Sequence, residues 1–519
     1  MLISHLDFKG ALPRISHLPQ LLQDTAALGF DAVLVEYEDV FPFANDEFSA
    51  APDERWSPQT LQSFLDEAAR LNLEVIPLQQ GLAHLEWVFR WEKFHKWTLD
   101  KDYPSTVDFN NAEARNFIFG LLDEVLEAHP QSRYVHVGMD EAHGMVGWAR
   151  DNGADVVTLF LDHLDEICAR CEAHGKTPII WSDMIEDNFN PAALSRFSTF
   201  KDRVILCSWD YSADGTRHVA ARIDGQRTTR AWLDEPQNAG ASPLGPGTKW
   251  IEDLDENARE IIAPFYDGRT FAPLFWCDIW VQMGFQVIGA SASRASEDFA
   301  VMPHFHKRRA NIETWQSKIE ETSALGHVVT SWARGTTFCP PIFPFDLTWP
   351  LLEDAARSAE KNPPPFFKGI DRETVSRLVL TLGRCRESWS IETQIADEMD
   401  ALESQVLAHV WEWKCLSLMA RVLSWQKRAA AVQDEVDYFK GGVRLPAPEW
   451  QRRLNDQAEI MRSGTALRAD VASHFGERYA GDAFEEWLRD VFDAPMSRLQ
   501  NCAAICRNNM EIARERYAL

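Results

Sequence analysis

The chain has 519 residues and a formal net charge of −27, and 45% of its residues are hydrophobic. A chain of this length can bury a large core and form a second domain. The acidic balance argues against nucleic acid as a partner, since proteins that bind nucleic acid are basic. It also argues against an acidic polymer as substrate. No stretch is apolar enough over sufficient length to cross a bilayer, so we expect no membrane partner.

The cysteines and the first residues favour a cytoplasmic location. The nine cysteines are scattered along the chain. Cys168 and Cys171 form a CxxC pair in a helical pattern, without the second pair or the histidines of a zinc site. Reduced thiols are typical of a reducing compartment. The segment Met1–Lys9 lacks the basic and apolar regions of a secretory signal. Export by another route is the alternative.

Strand-like runs alternate with amphipathic helical stretches over residues 1–345. Helices are predicted at Leu18–Leu28, Pro58–Leu71, Ala112–Ala128 and Asp155–His174. Strands are predicted at Leu2–Leu6, Ala32–Glu36, Glu74–Leu78, Tyr134–Val137, Thr177–Trp181, Val204–Ser208, Phe285–Gly289 and Val328–Trp332. Such alternation predicts a parallel α/β sheet. Eight units over this length fit a closed (β/α)₈ TIM barrel with insertions.

Three further regions follow from changes in composition. A long insertion is predicted around residues 211–284, and Gly240–Thr248 within it is typical of a loop. Residues 346–369, which include Pro363–Phe367, are predicted to connect two domains. Residues 370–519 show helical periodicity and predict an α-helical C-terminal domain.

Apolar stripes in this helical domain suggest contact with a second copy of the chain. The stripe residues are Val406, Val410, Trp413, Leu416, Met419 and Leu423, with Trp411 and Trp425 beside them. A thin helical layer on a barrel does not bury stripes on several faces by itself. We therefore predict a homodimer with an interface from residues 370–519. The alternative is that the stripes form an internal core.

The segment Tyr134–His143 carries the clearest chemical motif. Val135 and Val137 predict a short buried strand that ends at Gly138, and two adjacent carboxylates follow, Asp140 and Glu141. In a (β/α)₈ barrel the residues just after a strand form the active site. Paired carboxylates in different environments are typical of enzymes that cleave glycosidic bonds. The alternative is a loop pair that caps the next helix.

This segment resembles the His-x-Gly-x-Asp-Glu signature of family-20 glycoside hydrolases, the β-N-acetylhexosaminidases. Met139 stands where a smaller residue is commoner. Further segments are similar to the hexosaminidase D-like branch, in order over roughly residues 1–345. They are Leu6–Ala11, Val35–Pro42, Val75–Glu86, Ile180–Asp183 and Ser208–Tyr211. The resemblance implies a TIM-barrel exo-β-N-acetylhexosaminidase that removes terminal N-acetylglucosamine or N-acetylgalactosamine from an oligosaccharide or glycoconjugate. It implies neither cofactor nor metal, and related proteins with such helical domains are dimeric.

The resemblance also implies substrate-assisted chemistry, in which the substrate's acetamido oxygen is the nucleophile and an oxazolinium intermediate forms. By their order in the motif, Glu141 would be the general acid and Asp140 would orient the acetamide and stabilise the positive charge. Repulsion between the two carboxylates is expected to raise the pKa of one of them and keep Glu141 protonated.

Two histidines and a second acid are expected to support this pair. The resemblance implies that His84 hydrogen-bonds the general acid and that an acid after the second strand supports His84. Glu38 and Asp39 both match that acid, and we favour Asp39. His136 lies within its strand and is expected to be a packed support residue. His143 is expected to be a loop residue without a catalytic role.

Aromatic and polar residues at other strand ends complete the predicted sugar pocket. Trp181, Trp209 and Trp332 would form an apolar box for the acetamido methyl group and the sugar face. The resemblance implies a tyrosine that donates to the acetamide oxygen, for which we propose Tyr211. Asp183 would orient Asp140. For the sugar hydroxyls we expect contacts from Asp7, Lys9, Glu36 and Arg334. Many family members have an arginine near the first strand, whereas this chain has Lys9 there.

Two other functions remain open from the sequence. A metal-dependent hydrolase would use His136, Asp140, Glu141 and His143 as ligands, although alternating strand residues point to opposite sides. A catalytically silent sugar-binding protein would use the same pocket without turnover. The preference between gluco and galacto substrates, the linkage and the residues around the C3 and C4 hydroxyls are not determined by the sequence.

Overall fold

The structure, a computed structural model, contains the predicted barrel. It describes residues 1–50, 54–232, 234, 249–384, 389–440 and 445–517. Eight parallel strands close into a barrel in chain order, because the first strand pairs with both the second and the last. The barrel strands, β1–β8, are Leu2–Asp7, Ala32–Glu36, Glu74–Leu78, Tyr134–His136, Thr177–Trp181, Ile205–Trp209, Gln286–Arg294 and Gly326–Ser331.

Alternation along the strands forms two apolar layers. Ala32 and Leu34 of β2 face the interior of the barrel, together with Ile76, Ile179 and Val328 from other strands. Their neighbours Val33 and Val35 belong to the larger core under the helices. This division follows from the two-residue period of a strand, which sends successive side chains to opposite faces.

Helices cover the outside of the barrel, as the sequence predicts. Several begin at a capping side chain: Ser57, Asn111 and Asp155 each accept a hydrogen bond from an amide in the first turn. The helices before β8, α1–α11, are Leu18–Ala27, Pro58–Arg70, Glu86–Phe89, Ala112–Ala128, His143–Asn152, Val156–Ala173, Asp183–Asp187, Pro191–Phe197, Glu256–Ile262, Phe275–Gln282 and Phe305–Thr322.

The insertion after β6 forms part of the cavity wall. It contains a small sheet of Ala220–Arg222, Gln226–Thr228 and Lys249–Trp250, followed by α9 and α10. The predicted loop Gly240–Thr248 lies outside the described residues. Helix α10 packs against β6 and β7 of the barrel, and its Trp276 indole donates to the carbonyl of Arg222 in the small sheet.

The connector predicted over residues 346–369 needs a correction. A 3₁₀ turn at Phe345–Thr348 leads into helix α12 at Trp349–Ser358, whose residues are largely buried. This helix follows β8 and packs on α11, so it occupies the place of the last barrel helix. Only the shorter, proline-rich stretch after it connects the two parts.

The C-terminal part is helical, with one short strand. Its helices, α13–α18, are Arg372–Thr381, Ser390–Leu402, Val410–Phe439, Ala447–Phe475, Asp482–Leu488 and Ala494–Arg516, with a π-helical turn at Arg489–Asp493. Tyr479–Ala480 pairs antiparallel with Leu12–Pro13 after β1, so this domain docks beside the mouth of the barrel.

The apolar stripe of α15 is largely internal to the chain, which corrects the reasoning that led to a dimer. Trp413, Leu416, Met419 and Leu423 are buried within one copy, and Val410 is exposed. Helices α14, α16 and α18 pack against α15 on several sides and cover it. None of the helices in the described ranges combines the length and apolar character of a membrane-spanning segment.

Candidate active site

A cavity of about 710 Å³ opens at the carboxyl ends of the barrel strands. This size is typical of a site for a small ligand. Its wall combines barrel residues with residues of the insertion. The lining residues that matter below are Lys9, Gln80, His84, Asp140, Glu141, Trp181, Trp209, Tyr211, Arg222, Trp332 and Arg334.

The two adjacent carboxylates lie on a tight turn after β4. Gly138, Met139 and Glu141 all have positive φ, at 64°, 77° and 45°. Gly138 is required there, because an added Cβ would lie 1.7 Å from Oε1 of Gln80. Nδ1 of His136 accepts the Gly138 amide at 3.1 Å, consistent with the expected supporting role. Non-glycine residues held in this conformation are strained, and such strain is concentrated at functional sites.

His84 lies against both carboxylates. Its Nε2 is 3.3 Å from Oδ2 of Asp140 and 3.5 Å from Oε2 of Glu141. The side chain of Glu141 is 44% exposed, whereas that of Asp140 is almost buried. The structure therefore brings these three predicted residues together and gives the two acids different surroundings.

The protonation of this cluster differs from the expectation. The hydrogen bond from His84 lowers the pKa of Glu141, against the opposing effect of burial. Burial lowers the pKa of His84, but the charge of Asp140 and hydrogen bonds to its neighbouring acids outweigh it and raise that pKa well above the ordinary value. Repulsion from Asp140 therefore does not keep Glu141 protonated. The proton is held on His84, next to Glu141.

Asp39 does not occupy the predicted place beside His84. Its carboxylate pairs with Arg90, with Oδ2 2.5 Å from the guanidinium. The acid beside His84 is Glu86, whose Oε1 lies 3.7 Å from Nδ1. His84 has a φ of 52°, and this backbone turn brings a residue only two positions later against the imidazole. Glu38, the other candidate, lies 4.0 Å from the Lys9 ammonium.

Asp183 connects the turn after β4 to Trp209. Its Oδ2 accepts the Glu141 amide at 3.0 Å, and its Oδ1 accepts the Trp209 indole at 3.2 Å. Burial and the charge of Asp140 raise the pKa of Asp183 well above its ordinary value. The raised pKa favours the neutral form of Asp183.

The predicted aromatic residues converge on the cavity. Trp181 and Trp332 lie 5.9 Å apart between ring centroids, and Tyr211 stacks on Trp209 at 5.1 Å. Tyr211 is also 6.4 Å from Trp332, so the four rings form a continuous wall. Burial raises the pKa of the Tyr211 hydroxyl well above 10, which keeps it a hydrogen-bond donor.

The polar residues after β1 and β2 are arranged in two layers. Lys9 lines the cavity, with its ammonium 2.9 Å from Glu36, 3.6 Å from Asp7 and 4.7 Å from the centroid of Trp332. The buried carboxylates of Asp7 and Glu36 lie behind it, and Asp7 also accepts the amides of Lys9 and Ala333. This corrects the expectation that Asp7 and Glu36 contact the ligand, because their oxygens bind the protein.

Arg334 is held by two parts of the chain. Its Nη1 donates to the carbonyls of Thr337 and Cys339, and its Nη2 is 3.3 Å from Glu486 on α17. The C-terminal domain therefore contacts a residue of the cavity wall.

The alternative metal cluster does not form in the described part of the chain. His136 is buried in its strand, whereas His143 is the exposed first residue of α5 and lies in a helix rather than in the predicted loop. Their ligand atoms do not converge with those of Asp140 and Glu141. The convergent group of metal-ligand type in the described residues is Asp24, His409 and Glu412, which lies elsewhere.

Three residues of the site were not predicted from the sequence. Gln80 and Glu86 belong to a segment that the resemblance covers, but spacing alone does not separate them from their neighbours. Arg222 comes from the insertion, where hydrophobic periodicity gives no guide. Its guanidinium lies 4.2 Å over Trp209 and 3.2 Å from Asp187.

The sequence is similar to family-20 glycoside hydrolases. Residues 56–229 match the family model described as glycosyl hydrolase family 20, catalytic domain. Hexosaminidase D of Bos taurus is 30% identical over 232 residues, which are 43% of this chain and 66% of the bovine protein. Hexosaminidase D of Homo sapiens is 31% identical over 222 residues, which are 41% of this chain and 45% of the human protein.

A solved structure of a β-N-acetylhexosaminidase from Bacteroides fragilis shares 14% identity at a TM-score of 0.40, over 68% of this chain and 65% of that chain. The chain spans slightly less than two thirds of the bovine relative and less than half of the human one. The sequence matches confirm the resemblance to family-20 glycoside hydrolases of the hexosaminidase D-like branch. The matched segment includes His84, Asp140 and Glu141.

Proposed function

We propose that this chain, which resembles the family-20 glycoside hydrolases, is an exo-acting β-N-acetylhexosaminidase. It would remove a terminal, non-reducing N-acetylglucosamine or N-acetylgalactosamine from an oligosaccharide or glycoconjugate. The observation that carries the proposal is the contact of His84 with both Asp140 and Glu141, next to the aromatic wall of the cavity.

The proposed general acid is Glu141, with a proton supplied through His84. Hydrolysis requires a proton on the leaving oxygen. His84 and Glu141 share a contact of 3.5 Å, and the raised pKa of His84 beside the lowered pKa of Glu141 favours a proton on the imidazole. A substrate that excludes water from Glu141 weakens its charged form, so the proton moves from Nε2 to the carboxylate and then to the leaving oxygen.

The proposed nucleophile is the substrate's acetamido oxygen. Oδ1 of Asp140 is buried and has no hydrogen-bond partner among the described residues. It can accept the acetamide N–H and stabilise the positive charge that develops on the ring. Trp181, Trp209 and Trp332 would enclose the acetamido methyl group, and the Tyr211 hydroxyl would donate to the acetamide oxygen.

The deciding experiment is an assay with paired substrates and an inhibitor. We expect hydrolysis of an aryl β-N-acetylglucosaminide, with the galacto epimer measured alongside. A thiazoline mimic of the bicyclic intermediate should inhibit competitively and far more tightly than N-acetylglucosamine, since it resembles the high-energy species. Isolation of a covalent glycosyl-enzyme would contradict the mechanism. Binding without turnover would favour the silent sugar-binding protein.

The assembly and location are separate proposals. A homodimer would use apolar residues that stay exposed on the helical domain, such as Leu407 and Val410. Light scattering at micromolar concentration would give about twice 59.2 kDa for a dimer. A mass equal to that of one chain would contradict the dimer. A cytoplasmic location is supported by free cysteines throughout the described residues, and cell fractionation would test it.

A further inference from the structure

Two exposed aromatic side chains stand together on loops that adjoin residues of the cavity wall. Tyr103 is 43% exposed and Phe338 is 47% exposed, in contrast to the buried aromatic residues of the cavity wall. Their ring centroids are 5.6 Å apart and the rings are nearly perpendicular, at 77°. Exposed apolar surface beside a binding cavity commonly marks a contact with a ligand.

The loop that carries Tyr103 is held by hydrogen bonds at its base and its tip. Thr98 and Val107 pair at its base, and the Leu99 amide donates to the carbonyl of Thr106 at 3.0 Å. At its tip, Oδ1 of Asp100 accepts the amides of Asp102 and Tyr103. The exposure of the tyrosine ring is therefore built into the loop.

The loop that carries Phe338 is fixed by a residue of the cavity wall. Arg334 donates to the carbonyls on both sides of Phe338, those of Thr337 at 3.1 Å and Cys339 at 3.2 Å. The Tyr103 hydroxyl donates to Oγ1 of Thr336 at 2.8 Å and joins the two loops. These contacts hold the two rings as a fixed corner.

This corner lies on the side of the cavity where the general acid stands. Two residues after Tyr103, Oγ of Ser105 accepts the His84 amide at 3.1 Å. The next residue, Thr106, accepts the Gly144 amide at 3.2 Å, from the helix that begins just after Glu141. A leaving group protonated by Glu141 departs past this side.

We infer that Tyr103 and Phe338 form a second binding subsite, for the sugar on the reducing side of the scissile bond. The inference rests on the proposed function. A pyranose ring presents an apolar C–H face that can pack on an aromatic ring. The hydroxyl groups at its edge can stay in contact with the surrounding water. The buried wall of Trp181, Trp209 and Trp332 would hold the terminal sugar, and the exposed corner would hold its neighbour.

The test compares substrates that differ only in the leaving group. The variants Tyr103→Ala and Phe338→Ala are assayed on the β-linked disaccharide of N-acetylglucosamine and on N-acetylglucosaminyl fluoride, whose leaving group is too small to reach the corner. For each variant we expect kcat/KM on the disaccharide to fall by roughly three- to tenfold, the range of one aromatic contact. The value on the fluoride should stay within about twofold of wild type.

Three controls separate this role from a structural one. Tyr103→Phe and Phe338→Tyr keep the rings and should retain most of the disaccharide activity. Tyr438→Ala removes an 83% exposed tyrosine from α15 and should have no effect. The inhibition constant of N-acetylglucosamine should be the same in all variants, because it occupies the inner pocket.

The outcomes distinguish the subsite from the proposed function. If the wild-type protein cleaves both substrates and the variants have the same kcat/KM on the disaccharide as wild type, the subsite is overturned and the proposed function is not. Equal losses on both substrates would also overturn it, since they indicate damage to the inner pocket. A wild-type protein that cleaves no N-acetylhexosaminide would overturn the proposed function and the subsite with it.

Discussion

Asp140 and Glu141 are adjacent in the chain, and their surroundings give them separate tasks. Asp140 is nearly enclosed beside Asp183, whereas Glu141 reaches solvent at the cavity mouth. In the proposed mechanism the enclosed acid faces the acetamide, and the exposed acid can meet a leaving group.

The role of Asp140 can be tested by removing its charge. We expect Asp140→Asn to lower kcat by roughly 10²–10³-fold with little change in the binding of N-acetylglucosamine, the scale of one lost preorganised electrostatic group. Steady-state kinetics on an aryl substrate and calorimetry with the sugar measure the two effects. Activity within a few-fold of wild type would contradict the role.

The role of Glu141 as general acid can be tested with different leaving groups, because only a poor leaving group needs to be protonated. Glu141→Gln should slow the hydrolysis of a disaccharide far more than that of an activated aryl glycoside, whose leaving group needs little protonation. The measurement is kcat/KM on a series of leaving groups of rising pKa. An equal loss across the series would show that Glu141 has another function.

Glu86 should set the pH range through His84. Its hydrogen bond to His84 is one of the interactions that hold the pKa of His84 well above the ordinary value. A neutral amide is a weaker acceptor, so Glu86→Gln should lower that pKa. The pair of His84 and Glu141 then loses its shared proton at lower pH. We expect the alkaline limb of the kcat/KM profile to move to lower pH, with KM little changed near the optimum.

The matched control for this change is Glu92→Gln, which alters an exposed glutamate on the same segment. It should leave the profile in place. A uniform loss of activity in Glu86→Gln without a shift of the alkaline limb would indicate that Glu86 acts only in packing.

The turn between β4 and α5 leaves no room for a side chain at position 138, and this can be tested without changing any charge. Gly138→Ala would push Gln80 from its place and into the cavity, since the new Cβ would overlap Oε1. Gly153→Ala is the matched control, because Gly153 has the same φ of 64° and nothing within 4 Å of the added atom. Both variants bear the cost of a left-handed alanine, about 1–2 kcal/mol.

Only the change at position 138 should alter catalysis. We expect KM for an aryl substrate to rise at least several-fold in Gly138→Ala and to match wild type in Gly153→Ala, while thermal unfolding shows similar losses in both. Equal kinetic parameters in the two variants would mean that Gln80 can move without narrowing the sugar pocket.

The barrel strands were predictable because both faces of each are largely buried and apolar, which gives short continuous apolar runs in the sequence. This apolar pattern ended β7 five residues early, since the last residues of that strand, such as Ser291 and Ser293, are small or polar and yet buried. The site was predictable where a strand end carried charged or aromatic residues. Glu86 was missed because its contact depends on the backbone turn at His84, which sequence spacing does not reveal.

The boundary between the two domains was also not predictable from sequence periodicity alone. Prolines and a change in periodicity suggested a connector from residue 346, but α12 lies there and packs on the barrel. The stripe of α15 suggested a partner copy, whereas helices of the same chain cover most of it. Sequence periodicity identifies a buried face and does not identify what buries it.

Asp346 joins the two domains at this boundary. Its buried carboxylate accepts hydrogen bonds from His17 on the barrel side, from the Trp349 indole and from the Tyr479 hydroxyl of the helical domain. Burial raises the pKa of Asp346, but the bond from His17 and the nearby charges of His17 and Arg478 outweigh it and lower that pKa overall. Ionised Asp346 is therefore the form that stabilises the docked domains.

We expect Asp346→Asn to reduce the free energy of unfolding by roughly 3–5 kcal/mol near neutral pH, the usual cost of removing one partner from a buried ion pair. A folded-state pKa below the unfolded one means that this stabilisation is present above the ordinary carboxyl pKa and is lost as pH falls through the lowered value. The difference between wild type and variant in urea unfolding should therefore shrink on acidification. Limited proteolysis should cut the Asp346→Asn variant between the domains first. The control variant Asp371→Asn changes an exposed helix cap and should alter the free energy of unfolding and the cleavage pattern little. A difference in stability that does not depend on pH would show that Asp346 acts through its shape and not through its charge.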